Sequence, residues 1–280
     1  MSDDPARTVT DRSTRRLPDS SPEVRRRLRH WFDGGFRGSL LGVGLFALLI
    51  GCWQAAVVVS GLPAVVLPSP LEVGVALVDL RWTLAADAGT TALTAWLGLT
   101  AGLVVGSILA FVMAVSRPAA AVVLPYVVAL RIAPLVAIAP LLFLWFGRGI
   151  PGKALLVTTL TVFPITIAAL DGLRSTPESY LTLLRSVGAS TTTVFFRVRL
   201  PAAAPSVFAG VKIAATLAVI GAVVAEFVTL DAGIGYRVFE TSTTLRTAES
   251  YAALVALCVL GLGFYGVPAL LERAVRSRFE

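Results

Sequence analysis

Histidine occurs once in 280 residues, at His30, and cysteine twice, at Cys52 and Cys258. Such a chain has almost nothing from which to assemble a Ser-His-Asp or Cys-His catalytic set. No cluster of side chains has metal-ligand spacing. Both cysteines lie inside apolar runs and read as small buried hydrophobes, with no disulfide implied. Charge is scarce as well, at 15% of residues, where soluble domains carry about 25%. Apolar residues make up 56% of the chain, and its mean hydropathy is +0.82. Only lipid as solvent tolerates so much apolar surface, so the chain reads as an all-α integral membrane protein. The net charge of +7 invites a nucleic-acid reading, which the placement of the basic residues argues against.

Six apolar segments meet the requirement of about 20 residues for a bilayer core: 39–60, 86–115, 122–146, 154–172, 206–229 and 250–271. They define a transmembrane domain over 39–280, behind a basic tail over 1–38. That tail holds nine arginines and six acids, with no short apolar core and cleavage site of the secretory kind. It is either a solvated tail or, over Val24–Phe32, a short interfacial helix with Leu28, Trp31 and Phe32 at the headgroups. The third segment carries Pro125, Pro134 and Pro140 and is expected to be kinked or partly unwound.

With the N-terminus inside, 18 of the 24 Lys and Arg residues fall on the inner side and five on the outer side. This bias predicts both termini in the cytoplasm of a multi-pass plasma-membrane protein. It also explains the basic balance without nucleic acid. On the outer side, Ser69, Pro70 and Glu72 form a capping-box helix start, and Val73, Leu77 and Leu80 share a face. Asp231–Ser250, with turn signals at Gly233 and Gly235, reads as a second outer surface element. Neither loop is large enough to capture a solute, so a separate capture protein is needed.

Gly147 to Lys153 has the GxxxxGK spacing of a phosphate-binding loop. Ala154 replaces the hydroxyl that would hold magnesium, and no soluble strand precedes it. It reads as a tight turn, and ATP hydrolysis falls to a partner. Among the charges within the apolar segments, where a charge costs a few kcal/mol, Arg131 and Glu226 are singled out. Arg131, three residues before Pro134, either lines a solute path or snorkels to the interface. Glu226 either faces a cavity or pairs with another charge. Trp53, Trp96, Trp145 and Phe146 read mostly as interface anchors.

The longest polar interruption between apolar segments is the elbow, 174–205. Thr176, Pro177 and Glu178 read as a helix start, with Thr176 capping. Gly188 closes that helix in a left-handed conformation. Ser190 caps a second helix, in which Val194, Phe195, Val198 and Leu200 alternate with Arg197 and Arg199. Pro201 and Pro205 are expected to break it. The result is a helix–glycine–helix unit, basic on one side and apolar on the other.

This stretch resembles the coupling loop of ABC importer permeases, whose signature is Glu-Ala-Ala, three residues, Gly, nine residues, then Ile-x-Leu-Pro. Here Thr182-Leu183-Leu184 stand at the Glu-Ala-Ala positions. Gly188 follows at the right distance, and Val198-Arg199-Leu200-Pro201 end the motif. The acid is absent. LPSPLEV, LRIAPLVAIAPLLFLWFG, GVKIAATLAVIGAVVAEF and GIGY extend the likeness, which covers roughly residues 63–275, to the nitrate/taurine/alkanesulfonate branch.

The resemblance implies a type I ABC importer permease-like fold with two copies of the chain around one path. It implies an extracytoplasmic solute-binding protein and two cytoplasmic ATPase subunits that carry the ATP and magnesium. Gly188 would shape the elbow, with Ala189 following it, Thr182, Leu183 and Leu184 would sit at the ATPase groove, and Leu200 and Pro201 would fix where the elbow rejoins the membrane. Arg131, Pro134 and Glu226 are the candidates for the substrate path. Solutes of this branch include nitrate, sulfonates, taurine and vitamin precursors, and Arg131 tilts the choice toward an anion. A rival of another class, an ion-gradient-driven secondary carrier, would need internal repeats and more intramembrane acids.

Overall fold

The structure, a computed structural model, describes residues 22–277. Residues 1–21 and Arg278, like the side chains of Leu28, Trp31 and Phe32, lie outside what is described. All regular structure among the described residues is helical. Helix α1 (Pro22–Ser60) is a unit by itself. Residues 24–32 are its early turns, continuous with the first apolar run.

The second unit begins at Gly61. It comprises α2 (Pro70–Asp79), α3 (Arg81–Val115), α4 (Arg117–Ile132), α5 (Leu135–Phe146), α6 (Ile150–Arg174), α7 (Glu178–Ser186), α8 (Thr191–Val194), a π turn (Phe195–Arg199), α9 (Leu200–Thr229), α10 (Ile234–Thr243) and α11 (Thr247–Arg276). Five stretches are long and apolar enough to cross a bilayer, and α4 with α5 makes a sixth only as a bent pair.

The core is the contact of α6 with α3 on one side and α9 on the other. Lipid tails are as apolar as leucine, so no hydrophobic force pulls these helices together. They associate through close packing, which small residues permit. On α3, Gly98, Gly102 and Gly106 recur every four residues and form one stripe. A Cβ on Gly98 would strike Val157 of α6, one on Gly102 would strike Thr161, and one on Gly106 would crowd Ile165. The close approach lets Thr161 Oγ1 donate to the Gly98 carbonyl at 3.2 Å. On the adjoining face of α6, Gly210 and Gly221 of α9 lie against Ala168 and Val157, and Gly172 lies against Ala203. Ala214, Ala215, Ala218 and Ala222 complete the buried seam of α9.

Several expectations are met or corrected here. The third apolar segment, expected to be kinked or partly unwound, is indeed broken, into two helices meeting at 103°. The break is at Ala133, which the following proline pushes out of the helical region to ψ 132°. Pro125 and Pro140, by contrast, sit inside α4 and α5 without ending them. Cys52 and Cys258 are exposed on the chain. Outward-facing thiols are tolerable where the surroundings are lipid. Trp96 lies in mid-helix, edge-on to Phe264 of α11 at 6.5 Å. The start of α10 is buried rather than superficial, with Ile234 fully enclosed. The Ser69 capping box forms as expected, with Glu72 N donating to Ser69 Oγ and Ser69 N donating to Glu72 Oε2, and Val73 points inward.

Candidate coupling elbow and buried hairpin lock

The two ends of α9 carry the two functional candidates. At its start lies the elbow. Helix α7 ends at Gly188, whose φ of +77° lies in the left-handed region that only glycine enters freely. Two bonds close the turn: Gly188 N to the Arg185 carbonyl and Ala189 N to the Leu184 carbonyl, each 3.0 Å. This pairing is the Schellman arrangement. Ser190 then caps α8, accepting from Thr193 N at 3.2 Å. Thr176 does not cap α7. Pro177 occupies the cap position without a side-chain bond, and the Thr176 hydroxyl is buried and unbonded.

Pro201 does not break the second helix. The helical run continues from Thr191 to Thr229. It passes the proline through the π turn, where Leu200 N reaches back five residues to the Phe195 carbonyl. Proline has no N–H to offer and its ring presses on the carbonyl four residues earlier. The wider turn makes room for it.

On α7, Leu181 faces inward at 2% exposure, whereas Tyr180, Leu183 and Val187 are 62%, 61% and 72% exposed. Their spacing puts the three on one helix face. Thr182 is exposed, Leu184 and Ala189 are half-buried, and Leu200 and Pro201 are exposed. Of the expected groove residues, Leu183 lies on this face and Leu184 at its edge, with Tyr180 and Val187 beside them, while Thr182 faces away. The 180/183/187 spacing could have revealed this apolar face before the structure did.

At the other end of α9, the chain turns through Leu230, at φ 54°, and Gly233, at φ 110°, into α10. Glu226 lies beneath this turn with no exposure. Its Oε2 accepts from Gly235 N at 2.8 Å, and Thr91 Oγ1 of α3 accepts from Ile234 N at 2.9 Å. These are the orphan donors at the start of α10, where a carboxylate also meets the positive end of the helix dipole. A Cβ on Gly233 would fall inside the Glu226 carboxylate, so glycine is required there for space as well as for φ.

Two ion pairs fasten the same turn. Lys153 Nζ of α6, at 2% exposure, donates to Asp231 Oδ1 at 2.5 Å. Asp231 Oδ1 also accepts from Thr229 Oγ1 and Ala232 N, each at 2.8 Å. Partial burial raises the Asp231 carboxyl, but these bonds outweigh it and hold its pKa below the ordinary value. Arg237 of α10 donates from Nε to Asp87 of α3 at 2.9 Å and from Nη1 to Glu240 at 2.8 Å. Burial alone would lower the Arg237 pKa; Asp87, chiefly, raises it. The turn is therefore tied to α3 and α6 together. Sequence reasoning missed Lys153, Asp231, Asp87 and Arg237 as a set, because the partners are 78 and 150 residues apart.

Arg131 is brought into neither cluster. It is exposed near the end of α4, with its guanidinium 5.9 Å from the centre of the Phe163 ring. Pro134 forms the start of α5 at the 103° break. Of the readings open for Glu226, the geometry shows a buried group bonded to backbone.

A helical bundle of several apolar spans, with an exposed elbow between two of them, is the form of a multi-pass transport component. The family model described as binding-protein-dependent transport system inner membrane component matches residues 102–277, and the chain belongs to that family. It is 36% identical over 239 residues to a probable ABC transporter permease protein of Haemophilus influenzae, covering 85% of this chain and 96% of the relative. It is 34% identical over 227 residues to the formylaminopyrimidine transport permease protein of Halalkalibacterium halodurans, covering 80% and 90%. Among solved structures, the MetNI methionine ABC transporter in an inward-facing form matches with a TM-score of 0.61 at 19% identity. That match covers 70% of this chain and 98% of the other. The fold is that of the type I importer permeases.

Proposed function

We propose that this chain is the solute-conducting permease subunit of an ATP-driven importer, working as two copies with both termini in the cytoplasm. The elbow docks on cytoplasmic ATPase subunits, which bind the ATP and magnesium. An extracytoplasmic binding protein delivers the solute to the opposite face. The observation that carries this reading is the exposed apolar face of Tyr180, Leu183 and Val187 on a helix closed by a left-handed Gly188. A free apolar face on a short polar helix invites a partner groove. ATP-driven closure then biases a two-state bundle through the elbow.

The solute is a small molecule, an anion such as a sulfonate, taurine or nitrate, or a vitamin precursor such as a pyrimidine. Arg131 and the Pro134 break line its path; Glu226 shapes the path indirectly, by holding the start of α10. The test is copurification of the tagged chain from native membranes with its partners. An ATPase that is retained by the wild type and lost in Leu183→Asp supports the elbow. A chain that purifies alone and drives uptake from an ion gradient overturns the reading.

A further inference from the structure

We propose that the recess behind the elbow binds the phosphate headgroup of an anionic phospholipid. Two adjoining cavities of about 530 and 540 Å³ share Ala114, Arg117, Glu178 and Arg199 in their walls. The first adds Arg174 and Thr176. Four guanidiniums, those of Arg117, Arg174, Arg185 and Arg199, therefore line the joined recess beside a single carboxylate, Glu178. That carboxylate is already met, since Glu178 Oε1 accepts from Arg185 at 3.0 Å. Among the described residues, none of Arg117, Arg174 and Arg199 forms an ion pair. Arg174 is held in place by donating to the Met113 carbonyl at 2.9 Å. The Nε of Arg199 and the hydroxyl of Thr176 are buried without a partner. Buried donors and unpaired guanidiniums around one space call for a multidentate anion, and phosphate fits that geometry.

The second cavity says which phosphate. It is walled by Phe111, Phe195 and Phe196. Their rings stack edge-on at 5.1 and 5.2 Å, and Phe111 and Phe196 remain 46% and 60% exposed. A free phosphate has no use for this wall, whereas an acyl chain does. A basic cavity between helices on the cytoplasmic side, continuous with an apolar surface, matches an inner-leaflet anionic lipid. The site rests on the orientation proposed above. The headgroup lies against Arg199 in the π turn that joins the elbow to α9, so lipid binding would stiffen the joint that carries the stroke.

Native mass spectrometry of the full chain in mild detergent tests this, with phosphatidylglycerol titrated against phosphatidylcholine. The wild type should retain phosphatidylglycerol selectively. R117Q/R199Q should lose that selectivity by about tenfold or more, R117K/R199K should keep most of it, and R273Q, outside the recess, should be unchanged. If the double variant misfolds, R117Q alone, altering an exposed residue at the start of α4, should still lose part of it. Unchanged selectivity in the glutamine variants overturns the site. So does displacement of the lipid by glycerol phosphate alone, which would make the recess a soluble-phosphate site. ATPase copurification in the same preparations separates the two claims. Selectivity absent with the ATPase retained sinks the lipid site alone; selectivity present with no ATPase sinks the importer reading alone.

Discussion

The two ends of α9 are built in opposite ways. At the hairpin end, Glu226, Lys153 and Ile234 are almost wholly buried, and bonds run to α3 and α6. At the elbow end, Tyr180, Leu183 and Val187 are exposed, and the closing bonds stay within the local turn. A rigid anchor at one end and an unfilled contact face at the other suit a helix that is pushed from the elbow. The difference also teaches what a substitution can reveal. At the hairpin end a substitution disturbs the buried bonds of the fold itself; at the elbow it can change the exposed face while the fold is kept.

The largest effect is expected from Gly233→Ala, whose methyl would occupy the Glu226 carboxylate at a φ of 110°. Little folded protein should survive in detergent, measured as monodisperse yield by size exclusion. Next is Asp231→Ala, which leaves Lys153 charged and buried, a loss of about 3 kcal/mol. Lys153→Met removes the buried charge and leaves Asp231, half exposed to solvent, so it should lower the melting midpoint less. The pH sign follows from the depressed Asp231 pKa. Its contribution is full above about pH 4 and is lost as pH falls below that. The melting gap between wild type and Asp231→Asn should therefore be flat from about pH 8 to 5 and narrow as pH falls below about 4.

At the elbow the expectations reverse. A Cβ on Gly188 meets nothing within 4 Å, so bulk is not the obstacle; the φ of +77° is. Gly188→Val should strain the turn by about 2 kcal/mol, which local unwinding of the exposed elbow relieves, so uptake should be lost while the melting midpoint falls less than in Asp231→Ala. Gly188→Asn, tolerated in the left-handed region, should keep most of the uptake. Ser190→Ala is the smallest change, about 1 kcal/mol confined to the start of α8, read as faster local hydrogen exchange. Equal global destabilisation by Gly188→Val and Asp231→Ala would erase the distinction between the two ends.

What was legible in the sequence was chemistry that closes within a few residues. The Ser69–Glu72 capping box, the Gly188 cap and the Ser190 cap each need only a short local pattern, and all formed. Proline was legible only as a warning. Pro134 sits at a right-angle break, Pro140 inside an intact helix, and Pro201 is absorbed by a π turn; neighbours decided among these outcomes. The glycine stripe of α3 is visible as a period of four, but its partner α6 is not. The hairpin lock was illegible because Lys153–Asp231 and Asp87–Arg237 are joined only by the tertiary fold.

The Lys153–Asp231 pair also bears on how the molecule is made. The two residues are separated by 78 positions, so at ribosomal speeds of about 5–20 residues/s Lys153 is synthesised roughly 4–16 s before its counter-ion. Until then the start of α6 lacks the carboxylate that meets its lysine in the folded chain. A nascent chain stalled short of Asp231 should therefore hold α6 less firmly than one stalled just beyond it, which gives the bundle a defined order of completion.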